Sequence, residues 1–209
     1  MGPIKIVILL FDRITALDAV GPFEVLSKIP NSKVYFAAIE PGTVSCMGGL
    51  KLVAEYPIKD ITEADILVIP GGTGINNLLN NVDILDWIIK IHKTTKYTAS
   101  VCTGSLLLGA AGLLKNLRAT THWNHIEKLK NFGAEPVKSR YVIDGKVITS
   151  AGVSAGIDMS LKLAELVGSE SLSKLIQLAI EYDPEPPYDA GSPDKISKEL
   201  LAVFHKANS

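Results

Sequence analysis

Short apolar runs alternate with longer amphipathic segments along this chain. The runs lie at residues 4–10, 33–39, 64–72 and 96–102 and are rich in Ile, Val and Ala. Continuous apolar runs of this length are typical of strands that are buried on both faces of a sheet. Because such strands alternate with helical segments, the pattern predicts βαβ units with right-handed crossovers: an α/β fold with a mainly parallel sheet and helices on both faces.

Helical spacing fills the gaps between these runs. It is clearest over residues 81–95, where Ile84, Trp87, Ile88 and Ile91 recur on one face. Further helices are predicted at 15–29, 104–114, 122–133, 154–168 and 169–182, and a last amphipathic helix follows the proline-rich loop 183–193.

Glycine turns divide two other segments into predicted hairpins. Residues 44–56 form a hairpin or a pair of short edge strands that turns at Gly48-Gly49, and residues 140–152 turn at Gly145. No repeat or interdomain linker interrupts the order of elements, so we expect a single domain over residues 1–209.

The composition is that of an ordinary folded protein, 47% hydrophobic and 21% charged, with a formal net charge of −1. Because no basic stripe is present, nucleic acid and anionic membranes are not expected partners. The uncharged stretch 97–114 approaches the length of a membrane span. Polar residues and glycines interrupt it, however, and a buried strand followed by a buried helix explains it better, so we expect no membrane partner.

The chain has two cysteines, Cys46 and Cys102. They are too few for a disulfide framework or a cysteine metal site, and they suit a reducing compartment. The apolar part of the N-terminal segment is too short for a signal peptide. We therefore expect a cytoplasmic protein that needs no metal and no organic cofactor.

Cys102 stands where an apolar strand changes into a helix of small residues. In α/β sheets, sites lie beyond the carboxyl ends of strands, and the free N–H groups of a helix start favour a thiolate. The stretch "SVCTGSLLLGAAGLL" (100–114) therefore resembles a nucleophile elbow. The alternative is that Cys102 is a small core residue. Cys46 has no helix start behind it and is not expected to react.

Thr103 and Gly72 are candidate hydrogen-bond donors at neighbouring strand ends. Thr103 cannot act as a base at neutral pH, but its N–H and hydroxyl can donate towards developing charge; its alternative role is a helix N-cap. Gly72 lies in "IPGGTG" (69–74), where a glycine pair after a buried strand lets a main-chain N–H point into a pocket. A plain turn is the alternative there.

Asp18 and His122 are the candidate titratable residues. Asp18 has the spacing of a capping box with Thr15, which would make it a helix-start residue. Pro22 cannot donate to the Asp18 carbonyl and would distort a helix, so the alternative places Asp18 on irregular backbone as a functional carboxylate. His122, in "ATTHWNH", is a candidate for a direct role, with a structural role as its alternative.

Five stretches together resemble the DJ-1/PfpI superfamily and, within it, the isonitrile hydratase branch. They are "LDAVGPFEVL" (17–26), "IPGGTG" (69–74), "SVCTGSLLLGAAGLLKNLRATTHW" (100–123), "SAGVSAGIDMSL" (150–161) and "EYDPEPPYDAGSP" (181–193). They occur in family order over nearly the whole chain. The resemblance implies a flavodoxin-like sandwich of the class I glutamine amidotransferase-like type and a homodimer.

The resemblance also implies roles for individual residues. Cys102 is the expected nucleophile, Asp18 its acidic partner, and Thr103 lies beside the thiolate. Main-chain N–H groups near Gly72 and Thr103 are expected to border the anion site, and Gly152 and His122 are further candidates for substrate binding. The expected reaction adds water to a small-molecule isonitrile and gives an N-substituted formamide.

Two other activities are compatible with the same family. Its protease-like and glyoxalase-like branches commonly carry a His after the Cys and a Glu near the first helix, whereas this chain has Thr103 and Asp18 there; the departure favours the hydratase. The alternatives are a redox-sensing dimer whose cysteine oxidises, and a glyoxalase or deglycase. Related regulators add a helix-turn-helix module, for which the single helix predicted after residue 193 is too little.

Overall fold

The apolar runs form the strands of one central sheet. The computed structural model describes residues 2–207. Its strands are β1 (Ile4–Leu9), β2 (Ser32–Ala38), β3 (Gly42–Ser45), β4 (Lys51–Ala54), β5 (Tyr56–Pro57), β6 (Ile66–Ile69), β7 (Tyr97–Val101), β8 (Arg118–Ala119), β9 (Glu135–Pro136), β10 (Tyr141–Asp144) and β11 (Val147–Ser150). Seven of them form the central sheet in the order β10-β11-β7-β6-β1-β2-β5.

Helices flank this sheet. They are α1 (Ala16–Leu26), α2 (Val82–Thr94), α3 (Gly104–Ala110), α4 (Ala155–Val167), α5 (Glu170–Ala179) and α6 (Lys198–Ala207), with short 3₁₀ segments at Ile58–Asp60, Thr73–Asn77, Trp123–Phe132 and Pro193–Lys195. Helix α1 packs against α4, which also contacts α5, while α2 packs against α3. The predicted α/β class and flavodoxin-like arrangement are confirmed.

Strand direction determines where a site can form. Neighbouring strands of the central sheet are parallel except for β10 and β11, which form the predicted antiparallel hairpin at Gly145. Because β1, β6, β7 and β11 run in the same direction, their carboxyl ends lie at one edge of the sheet. The segments after these strands therefore meet there.

The middle of the sheet is buried on both faces. Residues 6–9 of β1 and 66–69 of β6 are all fully inaccessible to solvent. This burial explains why both strands are apolar without alternation. The sheet is consequently a rigid platform for the loops at its carboxyl edge.

The structure corrects two of the predicted helices. The helix expected over 104–114 ends at Ala110, because Gly109 and Gly112 lead into a turn in which Gly112 has a φ of 75°. The segment expected to be helical over 122–133 is a 3₁₀ helix with i→i+3 bonds such as His125 N–H to His122 O. The hairpin at Gly48-Gly49 forms as predicted, from two short strands of four residues each.

Within the described residues, no helix combines the length and the apolar composition that crossing a bilayer requires. The stretch 97–114 is a buried strand and a short buried helix, as expected from its polar residues and glycines.

Candidate active site

Cys102 occupies the sharp turn between β7 and α3. Its φ is 55°, in the left-handed region that costs an L-residue about 1–2 kcal/mol. Its N–H is shared between the carbonyls of Ser150 (3.2 Å) and Ala151 (3.1 Å). Its own carbonyl accepts bonds from Thr121 Oγ1 at 2.9 Å and Ser105 Oγ at 3.3 Å. These bonds hold the strained backbone in place, and the predicted elbow geometry is confirmed.

Gly104 permits this turn. A Cβ at Gly104 would overlap the carbonyl oxygen of Ile69, at the end of the neighbouring strand. Helix α3 can therefore start close against β6 only with glycine at this position, and Cys102 is brought to the edge of the sheet.

Asp18 lies in the first turn of α1, fully buried. Its Oδ2 accepts the Gly71 N–H at 2.9 Å. The sequence-based placement of Asp18 on irregular backbone is wrong: Pro22 lies inside a continuous helix, where the ring packs near Gly156 of α4. Helix α1 continues through Pro22 although the proline has no N–H to bond to the Asp18 carbonyl.

The capping-box alternative for Asp18 is also wrong. Thr15 is at the N-cap of α1, but no side-chain capping bond forms there. Instead, Asp18 Oδ2 bonds to a strand end 53 residues away. Within residues 2–207, Asp18 Oδ1 is buried and has no hydrogen-bond partner. The Cys102 thiol approaches this carboxyl and interacts with it.

Thr103 joins the ends of β6 and β7. Its hydroxyl accepts the Gly72 N–H at 3.0 Å and lies 3.4 Å from the Gly72 carbonyl oxygen. Thr103 is at the N-cap position of α3 but makes no side-chain capping bond, so the capping alternative is wrong. Gly72 has a φ of 137°, and a Cβ there would meet the backbone of Ile14 and Thr15. The segment is therefore not a plain turn, because it packs closely against the chain just before α1.

The Cys102 sulfur has hydrogen-bond donors in two segments. The Thr103 backbone N–H and hydroxyl interact with it, and so does the Val153 N–H from the loop after β11. The Gly72 N–H, a candidate donor from sequence, is already engaged by Thr103. Two main-chain donors that face one atom can stabilise negative charge as it develops there.

Val153 is the residue that sequence reasoning missed. It has a φ of 40°, which is rare for a β-branched residue and marks a strained backbone. It directly follows Gly152, and the only signal in the sequence was its position just after the carboxyl end of a strand. A sequence pattern does not reveal which of several loop amides faces the thiol.

Gly152 and His122 border the site as a pair. A Cβ at Gly152 would lie 2.6 Å from His122 Cδ2, so the ring packs directly on this glycine. His122 Nδ1 accepts the Asn124 N–H at 3.3 Å, and burial lowers the pKa of His122. His122 therefore contacts the loop that carries Val153, while Asp18 and Thr103 approach the sulfur themselves.

Burial has the largest effect on the pKa values of Asp18 and Cys102. It raises the pKa of Asp18 to about 7, although the Gly71 N–H and the Cys102 thiol act in the opposite direction. Burial and the nearby Asp18 charge raise the pKa of Cys102 to about 12. Only 5% of Cys102 is exposed, and this desolvation opposes the thiolate that the N–H donors of Thr103 and Val153 favour.

The other cysteine and the remaining candidate ligands lie outside this arrangement. Cys46 is buried in the turn of the β3–β4 hairpin, and burial raises the pKa of its thiol. Among residues 2–207, no three His, Cys, Asp or Glu side chains are grouped so that they could hold a metal ion.

Comparison with known proteins agrees with this architecture. Residues 4–166 match the DJ-1/PfpI family. The chain is 43% identical over 204 residues to an isonitrile hydratase of Pseudomonas putida, covering 97% of this chain and 89% of that protein. The crystal structure of a ThiJ/PfpI family protein from Pseudomonas syringae is 33% identical, with a TM-score of 0.95 over 99% of this chain and 86% of the other.

A more distant solved structure shares the fold alone. Schizosaccharomyces pombe DJ-1 is 20% identical, with a TM-score of 0.75 over 84% of this chain and 98% of the other.

Proposed function

The chain belongs to the DJ-1/PfpI family, and we propose that within this family it is an isonitrile hydratase that converts R–N≡C and water into the formamide R–NH–CHO. One observation carries the proposal: the Cys102 thiol, Asp18 and two main-chain N–H groups converge at the carboxyl edge of the sheet. The 43% identity to the Pseudomonas putida isonitrile hydratase supports the choice of substrate class.

The first step needs a base for the thiol. An Asp18 carboxyl with a pKa near 7 is a stronger base than an ordinary aspartate and still ionises at neutral pH. Asp18 takes the proton of Cys102 as the sulfur bonds to the terminal carbon of the isonitrile. It then gives that proton to the same carbon, which leaves the thioimidate R–N=CH–S–Cys102 and an ionised Asp18.

Hydrolysis of the thioimidate uses Asp18 a second time. Its buried Oδ1, which has no partner within the described residues, is available to accept a proton from water. As the water oxygen bonds to the thioimidate carbon, Asp18 passes the proton that it takes from water to the nitrogen, which gives R–NH–CH(OH)–S–Cys102. The C–S bond then breaks, and the remaining hydroxyl proton passes to the Cys102 sulfur, which releases R–NH–CHO and restores the thiol and the ionised Asp18. The Thr103 and Val153 N–H groups stabilise the sulfur while it carries negative charge.

Burial of the thiol favours this reading over a redox sensor. Sensor cysteines combine a low pKa with solvent access. Cys102 is only 5% exposed, and Asp18 and burial raise its pKa. A base held beside a shielded thiol suits chemistry that begins when a small substrate enters.

A product assay tests the function. Wild-type protein is incubated with cyclohexyl isonitrile, and N-cyclohexylformamide is measured by mass spectrometry. We expect turnover by wild type and by Cys46→Ala, and none by Cys102→Ala. Formamide formation by Cys102→Ala at the wild-type rate would refute the proposal. Lactate formation from methylglyoxal without any formamide would assign the glyoxalase activity instead.

We also propose a homodimer formed by a single-domain chain in the cytoplasm, as the family resemblance and the cysteine content predict. Light scattering of purified protein measures the mass: about twice 22.4 kDa supports the dimer, and 22.4 kDa contradicts it.

A further inference from the structure

The Val153 N–H faces the Cys102 sulfur from a strained backbone. A φ of 40° is unfavourable for valine and persists only where the surroundings hold it. Val153 lies between β11 and the first turn of α4. The carbonyls of Gly152 and Val153 accept N–H groups of the first turn of α4, but the Ser154 side chain makes no capping bond there and is free to bond elsewhere.

Arg140 holds this segment from both sides. Its carbonyl oxygen accepts the Ala151 N–H at 3.0 Å, two residues before Val153. Its guanidinium Nη2 donates to Ser154 Oγ at 3.0 Å, one residue after Val153. One residue thus binds the chain just before and just after the strained position.

The guanidinium is itself anchored to α4. Arg140 Nε lies 2.8 Å and Nη2 2.7 Å from Asp158 Oδ2, one turn beyond Ser154. The Tyr182 hydroxyl donates to the same oxygen at 3.2 Å. Although the Arg140 side chain is half-exposed, these bonds restrict its orientation. A planar guanidinium can bond to Ser154 and Asp158 at once, whereas a lysine ammonium is a single point charge.

We propose that Arg140 is a positioning residue for the reaction, which keeps the Val153 N–H directed at the Cys102 sulfur by clamping residues 151–154. The inference rests on the proposed role of Cys102 as nucleophile. It does not require Arg140 to touch the substrate. The ionisable groups that face this part of the structure are Asp18, beside Cys102, His122, whose ring packs on Gly152, and Asp158 and Tyr182, beside Arg140.

The pH profile of Cys102 alkylation measures this role without any substrate. Wild type, Arg140→Ala and Arg140→Lys are treated with iodoacetamide across a pH series, and the Cys102 peptide is quantified by mass spectrometry apart from Cys46. Loss of a hydrogen bond to a charged group lowers thiolate formation by about tenfold. We therefore expect Arg140→Ala to be alkylated about tenfold more slowly than wild type at a given pH, which displaces its profile by about one pH unit to higher pH. The profile of Arg140→Lys should lie closer to that of Arg140→Ala than to that of wild type.

Lys162→Ala is the matched control. Lys162 and Glu165 form another partly buried ion pair on α4, 2.5 Å apart, but near the middle and end of the helix. We expect its alkylation profile to match that of wild type. In a formamide assay, Arg140→Ala should lower kcat with little change in KM. The reason is that the weakened bond, from the Val153 N–H, acts on the reacting sulfur and not on the substrate.

The outcomes are decisive in each case. A wild-type alkylation profile in folded Arg140→Ala overturns the inference, even if the variant loses activity. If Arg140→Ala does not fold, Ser154→Ala takes its place in the test, because it removes only the bond between Arg140 Nη2 and Ser154 Oγ. An unshifted alkylation profile of Ser154→Ala would then overturn the inference. If wild type makes no formamide but the profile shifts, the hydratase proposal fails and the positioning role stands.

Discussion

The Asp18 Oδ2 atom accepts a 2.9 Å hydrogen bond from the Gly71 N–H, which joins the first helix to the end of a strand 53 residues later. This bond orients the carboxyl so that its other oxygen remains buried and without a partner within the described residues. Desolvation is therefore only partly compensated, and the pKa of Asp18 rises to about 7.

Asp18→Asn should change how stability depends on pH. The Asp18 pKa is 3.8 in its ordinary environment and about 7 when folded. Between these values the unfolded chain has lost the proton and the folded chain keeps it, so ionisation lowers the stability of wild type as pH rises. From pH 5 to pH 8, wild type should lose roughly 3 kcal/mol relative to Asp18→Asn. Urea unfolding of both proteins at the two pH values measures the difference; parallel curves would contradict the raised pKa.

The same substitution should slow formamide production. Because asparagine keeps the size of the side chain but cannot take the thiol proton, kcat should fall by about 100-fold or more. The measurement is the rate of N-cyclohexylformamide formation at neutral pH, with circular dichroism as the check that the fold is intact. Unchanged kinetics would remove Asp18 from the mechanism.

Thr103→Val should lower both stability and activity, whereas Thr103→Ser should retain both. Valine matches threonine in shape but leaves the Gly72 N–H without its 3.0 Å partner. An unpaired, largely buried N–H costs about 1–3 kcal/mol. Serine keeps the hydroxyl. Thermal unfolding and formamide assays on the two variants separate the effect of the hydroxyl from the effect of side-chain packing. Equal stability of the valine and serine variants would show that the bond between the Gly72 N–H and the Thr103 hydroxyl does not stabilise the protein.

Backbone strain at Cys102 predicts an order of stability among inactive variants. At a φ of 55°, glycine is free of the steric penalty that alanine shares with cysteine. Cys102→Gly should therefore be about 1 kcal/mol more stable than Cys102→Ala. Chemical denaturation of the two gives the difference, with Cys46→Gly and Cys46→Ala as the comparison pair. A less stable Cys102→Gly would argue against strain at the elbow.

Gly152→Ala should be rescued by a second change at His122. The new methyl group would lie 2.6 Å from His122 Cδ2, and overpacking of this kind costs about 1–3 kcal/mol. Removing the ring in His122→Ala opens the space. In a double-mutant cycle followed by urea unfolding, the double variant should be more stable than the sum of the single effects. Additive effects would show that the two residues do not press on each other.

The sequence by itself determined the strands, the hairpin turns and the elbow at Cys102. Apolar runs, glycine turns and helix periodicity act over a few residues, and β1, β6 and β7 follow such local signals. The same signals identified Asp18, Gly72, Cys102 and Thr103 as candidates, because each of them lies at or after the carboxyl end of a predicted strand.

Only the tertiary structure decided what these residues do to one another. Local spacing made Asp18 either a capping residue or part of an irregular turn, yet its partner is Gly71 and its helix continues through Pro22. A helix start predicted a thiolate, but the burial of Cys102 beside Asp18 raises the pKa instead. The position of the Val153 N–H depends on Arg140, which contacts residues on both sides of it. Desolvation and hydrogen bonds between distant segments arise only when the strand ends meet, and no local pattern encodes them.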